Sequence, residues 1–87
     1  MIINKNIFFR FEELIDNGTL YIYNYQTEEI IKSNELTYHI LIFIEKNFKY
    51  ADIIQNLNLI YEDVPIFELR TSVNQILDYL IETKIIS

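Results

Sequence analysis

The amino-acid sequence predicts an α+β domain in which a three-stranded antiparallel meander precedes three helices. Three observations carry this. Residues 7–25 alternate in the manner of strands, the apolar spacing changes to about 3.6 residues from Ser33 onward, and the turn formers Asn17-Gly18 and Pro65 punctuate the chain. The 87 residues, 51% of them hydrophobic, suit one compact domain spanning 1–87, with six Phe and seven Tyr to fill a small core.

The first strand is read in Ile7-Phe8-Phe9-Arg10-Phe11-Glu12, where Ile7, Phe9 and Phe11 share one face and Phe8, Arg10 and Glu12 the other. Asp16-Asn17-Gly18-Thr19 follows, and Asn-Gly tolerates the positive φ required at both centres of a type I′ hairpin turn. The returning strand, Leu20 to Tyr25, opposes Leu20 and Ile22 to Tyr21, Tyr23 and Tyr25. A second turn near Gln26-Thr27 leads to Glu29-Ile30-Ile31-Lys32, an edge strand with a free side.

Ser33 or Asn34 can cap the first helix, whose stripe is Leu36, Ile40, Phe43 and Ile44. A break near Asn47-Phe48-Lys49 precedes a second helix over Tyr50–Tyr61, carrying Ile53, Ile54 and Leu57. Glu62-Asp63-Val64-Pro65 ends it, because proline is tolerated only at the start of the next helix. That helix runs from Ile66 to Glu82, and Ile85-Ile86 are placed on the core. On a wheel of about 100° per residue, Ile66, Leu69, Val73, Ile76, Leu77 and Leu80 fill one arc, which Phe67, Arg70, Asn74 and Ile81 extend on one side only. The widened face is ordinary partly buried surface or the wall of a groove.

Composition excludes much chemistry. Cysteine is absent, so no disulfide, thiolate metal site or cysteine nucleophile can be written. Gly18 alone cannot supply a glycine-rich phosphate cradle. His39 is the single histidine and is read as a hydrogen-bonded structural residue beside the first-helix stripe. Ser33, Ser72 and Ser87 lack a nucleophile-elbow context, and Glu12-Glu13, Glu28-Glu29 and Glu62-Asp63 sit at turns or strand ends where solvated charge is ordinary. No catalytic residue, metal or cofactor is expected. A formal net charge of −6 opposes binding to nucleic acid. The longest apolar run, Ile40–Ile44, falls far short of the roughly 20 residues that span a bilayer. Met1-Ile2-Ile3-Asn4-Lys5-Asn6 carries no export signal, so a cytoplasmic location without membrane association is expected.

Three segments together resemble the PqqD-like family, the recognition elements for ribosomally made, post-translationally modified peptides. Lys32-Ser33-Asn34-Glu35-Leu36-Thr37, followed by Ile40, Leu41 and Ile44, is similar to the family's Leu-Asn-x-x-[Ala/Thr] helix start, with Ser33 in place of the leucine. Tyr50 to Tyr61 resembles its short helix of the form Val-x-Asp/Glu-Ile-Val-x-x-Leu-x-x-x-Tyr. Val73, Ile76, Leu77, Leu80 and Ile81, with the Ile85-Ile86 tail, resemble its long last helix. The resemblance implies a winged-helix-like, non-catalytic domain. Such a domain holds the leader of a precursor peptide and presents it to a modifying enzyme, the leader adding as a strand to strand 3 against helix 3. The peptide-binding residues so implied are Glu29, Ile30, Ile31, Lys32 and Ser33 on the strand, and Phe67, Arg70, Val73, Asn74, Leu77 and Ile81 on the helix. Lys32 and Arg70 would meet acidic leader residues and Asn74 a leader amide. Structural roles stand beside these, with Lys32 as an edge gatekeeper and Arg70 paired with Glu35 or Asp78. A winged-helix DNA-binding regulator shares the three-helix arrangement, an open strand edge and apolar groove would also serve a structural interaction module, and a homodimer is left open.

Overall fold

The structure, a computed structural model, describes Met1–Ser87. Its elements are β1 (Ile7–Glu12), β2 (Thr19–Asn24), β3 (Glu29–Ser33), α1 (Glu35–Glu45), α2 (Tyr50–Ile60) and α3 (Ile66–Glu82), with the strands ordered β1-β2-β3 in one antiparallel sheet. The α+β class and the order of elements are as the sequence predicts. α1 packs against β2 and α2, and α2 against α3. One core of fifteen buried apolar residues results, drawing Leu20 and Ile22 from the sheet and the remainder from the helices and the C-terminal tail.

The β1–β2 connection departs from the expected tight turn. β1 ends at Glu12 and β2 begins at Thr19, so Asn17 and Gly18 close a longer loop in which Asp16, Asn17 and Gly18 all have positive φ. An Asn17-Gly18 two-residue turn would pair Asp16 with Thr19, whereas Glu12 is the residue opposite Thr19. The displacement is by an even number of residues, so every side chain keeps its predicted face. Ile7, Phe9 and Phe11 lie against the core and Phe8 and Arg10 face out.

Local chemistry fixes the helix ends. The Asn34 side chain accepts the Thr37 backbone N–H at 3.0 Å and caps α1. At the other end, Asn47 takes φ 66°, while the Phe48 N–H bonds to the Phe43 carbonyl and the Asn47 N–H to that of Ile44. This is a Schellman stop with asparagine in the left-handed position. α3 ends the same way around Lys84, at φ 61°, with Ile85 N–H to Leu80 and Lys84 N–H to Ile81. That turn sends Ile85 and Ile86 into the core, at 1% and 2% exposure. The tail then pairs with the N-terminal segment through an Ile3–Ile86 bridge, which the sequence reading did not foresee.

Candidate functional site

The direction of backbone groups along the strands follows from two hydrogen bonds. Tyr25 donates its N–H to the Asn6 carbonyl, and Ile7 donates to Asn4 rather than to β2. In an antiparallel ladder the bonded pairs alternate. In the observed registers the bonded residues of β1 are therefore Phe8, Arg10 and Glu12, and those of β2 facing β3 are Leu20, Ile22 and Asn24. Their β3 partners, Ser33, Ile31 and Glu29, point their backbone groups inward. Ile30 and Lys32 are left with N–H and C=O directed away from the sheet. β3 thus offers two residues to a visiting strand, not the whole of Glu29–Ser33.

Side chains alternate as well. Ile31 faces the core opposite Ile22, whereas Ile30 is 63% exposed beside Tyr23 and Phe8 on the outer face. In the next row, Lys32 holds its ammonium 5.8 Å from the centre of the Tyr21 ring. These rows wall a shallow hollow of about 500 Å³, to which Phe8, Arg10, Ile15, Tyr21, Tyr23 and Ile30 contribute. Ser33 takes no part in the exposed edge. Its hydroxyl donates to Thr37 Oγ1 at 2.9 Å and ties β3 to α1.

On the other side of β3 a cleft of about 150 Å³ separates the strand from the end of α3. Ile7, Ile22, Ile31 and Ile85 supply its apolar surface, and Asn24, Thr27, Glu29 and Thr83 its polar atoms. It continues into a wholly polar recess that adds Asn4, Asn6, Gln26, Glu82 and Lys84.

The predicted α3 residues do not converge on this cleft. Val73 is fully buried and Leu77 is 8% exposed, both within the core. Arg70 lines a separate cleft against α2, with Tyr50, Ile54, Gln55 and Ile66. Asn74, Ile81 and Phe67 continue the Arg70 side of the helix at about 100° per residue, whereas Thr83 falls roughly 140° away, on the side toward β3. Thr83 lines the β3 cleft, and the half-buried Ser72 and Ile76 share its flank of α3 at about 100° per residue. Arg70 makes no ion pair with Glu35 or Asp78; Glu35 lies 3.5 Å from His39 Nε2.

His39 packs among the rings of Tyr38, Phe43 and Tyr61. The Tyr61 phenol is held above its ordinary pKa, first by burial and then by the Glu35 carboxylate. None of these groups lines the β3 cleft. No three acidic or histidine side chains gather in a metal-binding cluster, and no helix is long and apolar enough to cross a membrane. Comparison with protein-family models, with curated proteins and with solved structures finds no match.

Proposed function

We propose that this chain is a non-catalytic peptide-capture domain. It takes up an extended segment, the leader of a ribosomally made precursor peptide, as a fourth strand along β3 and presents it to a modifying enzyme. The observation that carries this reading is the combination of an unpaired edge at Ile30 and Lys32 with apolar surface on both sides of it. An incoming strand would exchange main-chain hydrogen bonds with Ile30 and Lys32, each contributing about 0.5–1.5 kcal/mol net. Its side chains would alternate between the cleft at Ile31 and Ile85 and the outer hollow at Ile30 and Tyr23. The family resemblance of the sequence supports the same reading.

Two proline substitutions test it. Ile30→Pro deletes only an outward N–H, so the variant should melt close to wild type yet lose binding to a precursor leader encoded beside the gene. Ile31→Pro deletes the ladder bond to Ile22 and should melt well below both wild type and Ile30→Pro. Isothermal titration alongside thermal melts reads both. A folded Ile30→Pro variant that binds the leader at wild-type affinity would rule out strand addition at β3.

A further inference from the structure

The sheet has a second open edge. β1 lies at its other margin, and the alternation fixed above directs the N–H of Phe9 and Phe11, with the carbonyls of Ile7, Phe9 and Phe11, away from β2. Beneath this edge α1 presents Tyr38, Ile42 and Glu45, spaced on one helical face, across a trough of about 450 Å³. Tyr38 stacks on Phe11 at 4.7 Å between ring centres, so Ile42 and Glu45 extend toward the Ile7 end.

We infer that β1 pairs antiparallel with β1 of a second copy of this chain, about a twofold axis through Phe9, to make a continuous six-stranded sheet. The argument is self-complementarity. With Phe9 opposite Phe9, the outward groups match: Phe9 of each copy donates to Phe9 of the other, and Phe11 of each donates to the carbonyl of Ile7. The same register sets Arg10 of each copy opposite Phe8 of the other on the outer face. A guanidinium there lies over an aromatic ring that is 51% exposed in the single chain. On the inner side the twofold brings the Tyr38 end of one edge to the Glu45 end of the other, a hydroxyl donor facing a carboxylate. Arg10 is ion-paired within its own strand to Glu12, a charged pair that disfavours pairing with an arbitrary strand. A sequence offering an aromatic opposite Arg10 turns that charge into attraction, and the chain itself is such a sequence. β3 is left free at both ends of the enlarged sheet, so this pairing does not depend on peptide capture.

Sedimentation velocity on the whole chain, from micromolar to about millimolar, with amide hydrogen exchange, tests the pairing. The expected result is a reversible dimer whose Phe9 and Phe11 amides slow their exchange as concentration rises, while those of Ile30 and Lys32 do not. Arg10→Glu should weaken the dimer by at least about tenfold, with the thermal melt of the dilute protein unchanged. A chain that remains monomeric at millimolar concentration overturns the inference. So does a dimer that protects Ile30 and Lys32 instead of Phe9 and Phe11, or one that Arg10→Glu leaves intact.

Discussion

Gly18 is constrained twice. Its φ of 109° lies where side chains are strained, and a Cβ at this position would stand 2.7 Å from Cζ of Phe11. Phe11 in turn stacks on Tyr38 and Gly18 leads directly into β2, so the loop and the α1 contact depend on the same missing methyl group. Gly18→Ala should therefore cost about 1–3 kcal/mol in urea unfolding, through strain and displacement of the Phe11 ring. An unchanged midpoint would show that the ring yields freely. At this scale the sequence was legible in part. Asn17-Gly18 announced positive φ, but Asp16 shares it, and nothing in the dipeptide told a tight turn from the end of a six-residue loop over Glu13–Gly18. Among the site residues, Ile30 and Ile31 have equivalent side chains. Only the register distinguishes the one whose backbone groups point away from the sheet from the one that bonds to Ile22.

The elements themselves were read well because each carries its own periodicity and punctuation. α3 begins after Pro65 and ends at Glu82 as the apolar spacing requires, and Asn34 caps α1. What sequence alone did not show was the geometry of the stops. Both α1 and α3 end in left-handed residues without using glycine, Asn47 in the first and Lys84 in the second. Asparagine accepts that conformation readily; lysine pays for its Cβ. Lys84→Gly keeps the backbone carbonyl that Asn4 Nδ2 donates to, and relieves the strain. It should raise stability by about 0.5–1 kcal/mol, the greater freedom of glycine in the unfolded chain offsetting part of the gain. A loss of stability in the thermal melt would show instead that the Lys84 side chain has a role in holding the tail.

At the scale of the whole molecule, charge separates the competing readings. Thirteen acidic residues face seven basic ones, and α3 sets Arg70 against Glu68, Asp78 and Glu82. Duplex DNA should accordingly bind only weakly, and sub-micromolar affinity in a fluorescence-anisotropy titration at about 0.15 M salt would overturn the peptide reading in favour of a nucleic-acid one. The candidate site was less legible than the fold for a reason of the same scale. The helical wheel showed that α3 has two flanks, but which of them stands beside β3 depends on how α2 and the tail pack around it. The wheel's widened arc carries Phe67, Arg70 and Ile81, whereas the cleft uses Thr83 and Ile85, one at the cap of α3 and the other beyond it.

The pairing of the first residues with the last brings a further consequence. Ile2 and Ser87 exchange backbone hydrogen bonds at 2.8 Å in each direction, and Asn4 and Lys84 border the polar recess that opens into the β3 cleft. A segment fused to either terminus therefore starts from nearly the same point, a short reach from the same edge. On a flexible linker it would be held there at an effective concentration of about millimolar, so that even a weakly binding sequence would occupy the edge within its own molecule.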